Sequence, residues 1–170
     1  MADHPPIVIV DEEDNVVGEA TMEEMLDKQL IHRLARVMVE DSDGNILLQK
    51  RVKDSWVYPG CWDVSAGGHV DAGESYEQAA ARELAEEIGL KDVPLEKIGR
   101  YYHEMTIKEG SFKRFVEVYR AYATQDTKFE VQPDEVESVR WFSPEEVKRL
   151  IKDHPESLAD GVINTINRYY

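Results

Sequence analysis

The chain has one cysteine, Cys61, in 170 residues, so no disulfide can form within it. It has no apolar run approaching the ~20 residues that a membrane-spanning helix needs. It is short of basic residues: 20 lysines and arginines stand against 35 aspartates and glutamates, a net charge of −15. That deficit excludes non-specific binding to nucleic acid or to an anionic membrane, since both need a basic surface. It does not exclude a phosphate ligand, because a bound metal ion can invert the local field. The opening residues, M-A-D-H-P-P, lack the charged-then-apolar pattern of a secretion signal. A soluble, cytoplasmic protein is the expectation. Repeats, linkers and low-complexity stretches are also missing, so residues 1–170 are expected to form one domain. Hydrophobic residues make up 42%, enough for a core.

What is present is a run of short strands with few helices. Residues 7–10 and 16–19 read as a hairpin around an acidic tip. Residues 21–29 read as a short helix, with Thr21 as cap and Glu24 completing a capping box. Strands are expected at 30–40 and 46–50, joined by an Asp-Ser-Asp-Gly-Asn turn. Residues 51–60 are irregular, basic and aromatic, and 62–66 form a short strand. Further strands are expected at 94–107, 112–124 and 136–142. Helices follow at 143–152, where Ser143 caps and Pro144 takes the first position, and at 155–168. The order suggests an α/β fold, a central mixed sheet with helices packed on it.

One stretch stands apart, residues 67–90. Its second half reads as a helix from Ser75, with Gln78 at the capping-box position and Gly89 as a left-handed C-cap. Glu83, Glu86 and Glu87 are spaced i, i+3, i+4, which puts three carboxylates on one side. They repel one another, and they crowd the end where the helix dipole disfavours anions. A hard divalent cation reverses that argument, because oxygen-only clusters suit Mg²⁺, Mn²⁺ or Ca²⁺. Arg82 is four residues before Glu86, the spacing of a helix-surface ion pair.

In fixed positions the stretch is Gly68, Glu74, Arg82-Glu83-Leu84, Glu86-Glu87 and Gly89-Leu90. It resembles the Nudix box, G-x5-E-x7-R-E-U-x-E-E-x-G-U with U aliphatic, at every position. Seven fixed residues coincide by chance about once in 10⁸ start points. The resemblance implies the Nudix α/β/α sandwich and a Mg²⁺-dependent hydrolase, Mn²⁺ being the alternative ion. Its substrate would be a small diphosphate, as in a nucleoside diphosphate derivative. It implies Glu83, Glu86, Glu87 and the carbonyl of Gly67 as metal ligands. Arg82 would orient a carboxylate, and Glu74 would fix the loop. Glu86 or a carboxylate of an adjacent segment would take the proton from water. Glu117, Glu135 and Glu137 are the rivals for that role. Arg51 and Lys53, with Lys50, form the dense basic group nearby, and His69 sits inside the box loop; these are the candidate phosphate contacts. A homodimer is expected by family habit alone.

A second resemblance covers most of the chain. V-D-E-E-D-N-V-V-G, L-I-H-R-L-A-R-V and Y-P-G-C-W-D-V-S-A-G-G-H-V look like the Nudix subgroup related to type 1 isopentenyl-diphosphate isomerase. That isomerase uses a histidine–glutamate metal site and a box-loop cysteine. His32 and His69 match two of its histidines, but the cysteine position falls on Gly67. Of its later acidic pair only Glu117 has a counterpart, with Phe115 at the partner position. Isomerisation is therefore the first alternative to hydrolysis. A non-catalytic nucleotide-binding module is the second, disfavoured because every box glutamate is kept.

Overall fold

The computed structural model describes residues 4–108 and 110–170. Its spine is strand β3 (Ile31–Glu40), ten residues long. One edge of β3 pairs in parallel with β8 (Gly110–Tyr122), from Ile31↔Lys113 to Glu40↔Tyr122. The other edge is shared in turn by three strands. β1 (Ile7–Val10) takes His32, β6 (Ala66–His69) takes Leu34 to Val37, and β4 (Ile46–Arg51) takes Val39 and Glu40. β2 (Val16–Ala20) completes the hairpin with β1, and β7 (Glu96–Ile107) that with β8. β4 then leaves β3, carrying β5 (Trp62–Asp63) on one edge and β9 (Val136–Phe142) on the other.

The expected strand at 62–66 is thus two strands. Trp62–Asp63 follows β4, and Ala66–His69 follows β3. Ser65, fully buried, sits where the two long strands part. Its hydroxyl donates to the Leu47 carbonyl and accepts from the Val39 N–H at 2.8 Å. One side chain therefore satisfies a donor of β3 and an acceptor of β4 that the split would leave unpaired.

Helices cover both faces. α2 (Tyr76–Ile88) packs its apolar stripe on Ala35, Val37, Val39, Leu47 and Ala66. α3 (Pro144–Asp153) and α4 (Asp160–Tyr169) lie on the opposite face, over Met38, Ile46, Leu48, Val116 and Val118. α1 (Met22–Asp27) closes a smaller cluster with Ile7, Ile9 and Phe112. The expected caps are present at Thr21, Ser75 and Ser143. The last expected helix is broken: Pro155–Ser157 forms a single 3₁₀ turn, and α4 starts only at Asp160. Leu158 and Ala159 are extended between them because Ala159 donates its N–H to Trp62, which ties that segment to β5. The architecture is the mixed sheet between helical layers that the sequence suggested. Among the described residues no helix is long and apolar enough to cross a membrane.

Candidate active site

A cleft of about 540 Å³ opens where β3 and β4 part. That volume is in the range of small-molecule sites. Glu83, Glu86 and Glu87 from α2 line it, with Gly67 and Gly68 from β6 and Glu135 from the loop before β9. Box position and strand order thus bring the acidic helix face against the edge of β6.

The three glutamates are not equivalent. Glu83 and Glu87 fall within the buried stripe of α2, at 8% and 6% exposure, while the Glu86 side chain is 59% exposed. Burial pushes the Glu83 carboxyl up to about 7, against the opposing pull of the Arg82 guanidinium. Burial, and then the Glu83 charge, push Glu87 well above the ordinary carboxylate range. Buried carboxylates whose proton affinities are raised by burial and by neighbouring carboxylates are short of positive charge. Gly68 makes the close packing feasible: a Cβ there would lie 2.2 Å from a Glu83 oxygen. Glu87 accepts from the Gln49 amide and, at 3.3 Å, from the Gly67 N–H.

Arg82 ties the loop to the helix. It donates to Glu74 at 2.7 and 3.0 Å, to Glu83 at 2.7 Å and to the His69 carbonyl at 3.0 Å, and it reaches Glu86 at 3.4 Å. The paired hydrogen bonds from Arg82 hold the Glu74 carboxyl below its ordinary range. Among the described residues, no three carboxylate, histidine or cysteine side chains close on one point as they stand. Glu83 leans to Arg82, Glu87 to Gln49, and Glu86 to solvent. Side-chain torsions separate these donors, since α2 carries all three on one face. The donor set, all oxygen and short of positive charge, fits a hard divalent cation.

Outside the box the expectations divide. Arg51 lines the cleft, but its guanidinium is occupied by Val57, Ser55 and Asp63. Lys53 lies exposed in the 52–60 loop and does not line the cleft, so the expected phosphate contact finds no support there. Lys50 stacks over the Trp62 ring instead. Glu117 is also outside the cleft. The alternation of β8 turns it to the Tyr119 side of the sheet, where Lys97 and Tyr119 bond it, both at 2.5 Å. Of the rival glutamates, Glu135 lines the cleft and Glu137 does not. Cys61 points at the Pro59 and Glu156 carbonyls, outside the cleft. Trp62 packs edge-on to Phe142 in the core, while Trp56 lines the cleft beside Phe112.

His32 and His69 do meet, with ring centroids 5.2 Å apart, and His4 lies 5.9 Å from His69. The carboxylates of an isomerase-like metal site do not join them. In register with His32 on β8 is Arg114, with Phe112 beside it on the same face. His32 is fully buried and its Nε2 has no partner among the described residues. Burial, helped by the Arg114 charge, lowers its pKa from 6.5 to about 4. The folded state thus excludes a proton that the unfolded chain binds. This contribution is present above pH 6.5 and is lost as pH falls through 4. Stability relative to a His32→Asn variant is expected to drop by at most about 3 kcal/mol over that interval. Urea unfolding of both proteins at several pH values measures it; a pH-independent difference contradicts the assignment.

Cleft residues that were not foreseen include Arg36, Arg114 and Asp160. A signal existed for the first two, because each sets a charge between apolar residues of its strand face, Leu34 and Met38 for Arg36, Phe112 and Val116 for Arg114.

Comparison with known proteins agrees with this geometry. The NUDIX domain model matches residues 30–161. An uncharacterized Nudix hydrolase of Yersinia pestis is 35% identical over 153 residues, 88% of this chain and 80% of the relative. An isopentenyl-diphosphate Delta-isomerase 2 of Photorhabdus laumondii is 32% identical over 154 residues, 88% of this chain and 84% of the relative. A crystal structure from Deinococcus radiodurans superposes with a TM-score of 0.79 at 23% identity, covering 97% of this chain and 99% of that one. An intact box on the expected loop and helix, a domain model over most of the chain and relatives matched along most of their length lead to one assignment: the chain belongs to the Nudix family, as a Nudix-type hydrolase.

Proposed function

We propose that this protein is a divalent-cation-dependent hydrolase that cleaves a diphosphate linkage in a small molecule, with Mg²⁺ as the working ion and Mn²⁺ as a substitute. The observation that carries the reading is the pair of buried carboxylates, Glu83 and Glu87, which α2 brings to the cleft beside Glu86 and whose proton affinities burial raises. Glu83, Glu86, Glu87 and the Gly67 carbonyl would hold the ion, which supplies positive charge against the phosphate oxygens. Arg82 holds Glu83 and the box loop in place through its bonds to Glu74 and His69. Glu135 is assigned the water proton: it faces the box helix across the cleft and makes no side-chain hydrogen bond among the described residues. Glu86, at the rim, is the alternative acceptor. His69 lines the cleft beside the loop and contacts substrate.

The isomerase reading has the Photorhabdus relative in its favour. Against it, residue 67 is glycine and offers no thiol to move a proton, and Cys61 lies outside the cleft. The beginning of β8 adds Arg114, not a carboxylate, beside His32. A panel of nucleoside diphosphate derivatives, nucleotide sugars and isopentenyl diphosphate, assayed with Mg²⁺, Mn²⁺ or EDTA, separates the two. Phosphate-containing products that form with the cations and vanish with EDTA are expected. Conversion of isopentenyl to dimethylallyl diphosphate, with no hydrolysis of any member, contradicts the proposal.

A further inference from the structure

The cleft has two ends of opposite sign. At one end are the α2 carboxylates. At the other, on the face of the sheet covered by α4, are Arg36 of β3 and Arg114 of β8. Their neighbours on that face, Met38, Val116 and Val118, are fully buried and apolar. Packing therefore explains neither arginine, yet both are buried, at 4% and 7% exposure.

Asp160, the first residue of α4, lies between them. It accepts from Arg114 at 2.7 Å and faces Arg36 at 3.6 Å and His103 at 3.2 Å. Arg36 also donates to the Tyr101 hydroxyl at 2.5 Å. Two guanidiniums share one carboxylate. Adding the nearby ion pair of Arg51 and Asp63, at 3.2 Å, still leaves three cations against two anions. The Arg114 Nε is buried with no hydrogen-bond partner among the described residues, and one of its terminal donors is spent on the Met105 sulfur at 2.9 Å. A buried guanidinium ordinarily has every donor engaged. Burial and the Arg36 charge both push the Arg114 pKa below the ordinary arginine value, the direction that a nearby anion would reverse.

We propose that Arg36 and Arg114, bridged by Asp160, form a second phosphate-binding subsite at the far end of the cleft. The substrate is then a diphosphate whose other arm carries a further phosphate group. This rests on the hydrolase reading for the near end of the cleft. Guanidinium forks match phosphate oxygens and remain charged when buried. The near end repels phosphate unless a cation is bound, so the two ends select different groups of one molecule. A 540 Å³ cleft has room for a molecule that reaches both.

The test is a titration of the full chain with inorganic phosphate in EDTA and again in Mg²⁺, followed by NMR of the arginine Nε–H signals. In EDTA the α2 carboxylates are without a cation, so binding reports the arginine end. A saturable shift of the Arg114 Nε–H signal is expected, with affinity at least tenfold weaker in Arg114→Lys, which keeps the charge and loses the fork. Should Arg114→Lys not fold, the wild-type signal, assigned through its backbone correlations, decides. No saturable shift in EDTA, equal affinity in a folded Arg114→Lys, or binding that requires Mg²⁺ overturns the subsite. None of these readouts needs turnover, so the subsite and the hydrolase reading fail separately.

Discussion

Replacing Glu87 with glutamine is expected to lower diphosphate hydrolysis by on the order of 10³-fold, several kcal/mol of lost charge stabilisation. The fold should survive, and the metal-free protein should become more stable at neutral pH. Glu87 is buried beside Glu83 and near Glu135, and among the described residues only the Gln49 amide and the Gly67 N–H donate to it. Its charge is unfavourable until a cation arrives; glutamine keeps the shape and removes the charge. The sign follows from linkage. A carboxyl whose folded pKa is raised binds its proton more tightly in the folded state. The stability this gives is full below the unfolded value, 4.5, and is lost as pH rises through the higher folded value. In EDTA, Glu87→Gln should therefore exceed wild type in stability at pH 8, and the gap should close as pH approaches 4.5. Steady-state kinetics and urea unfolding check the two halves. Full activity in Glu87→Gln contradicts the assignment of the cation site.

Asp14→Ala is expected to cost about 3–5 kcal/mol of folding stability, the loss typical when one member of a buried charge cluster is removed. The Asp14 side chain is 1% exposed at the tip of the first hairpin. Its carboxylate accepts from Arg33 at 2.7 Å, Arg100 at 2.8 Å and the Tyr76 hydroxyl at 2.9 Å. One residue thus binds the hairpin to β3, β7 and the start of α2. Its backbone is left-handed, φ 65°, which aspartate tolerates better than alanine. Asp14→Asn keeps that tolerance and part of the bonding, and is expected to lose less. Denaturant midpoints for both variants measure the difference. Equal, small losses would show that the cluster is not what joins these elements.

Much of this molecule was legible because the informative signals are local. A capping residue lies within a turn of its box partner, and a closing glycine within a turn of the helix end it terminates, so Thr21, Ser75, Ser143 and Gly89 could be placed from sequence. The i, i+3, i+4 spacing put Glu83, Glu86 and Glu87 on one face for the same reason. What was not legible depends on pairing between distant segments. Nothing near residue 64 shows that the strand divides there, because the division arises from Ser65 bridging β3 and β4. Glu117 shares the α2 face of the sheet yet lies outside the cleft, where Lys97 and Tyr119 engage it, and no local signal separates it from Glu135. Arg36, Arg114 and Asp160 come from three elements and look unrelated until β3 pairs with β8 and α4 docks on that face.

The most direct measurement is an electron paramagnetic resonance titration of Mn²⁺ into the wild-type chain and into Glu87→Gln. Saturable uptake by wild type, competed by Mg²⁺ and weakened at least tenfold in the variant, is expected if the α2 carboxylates form the cation site. Equal uptake by both proteins, or no saturable uptake by wild type, contradicts it.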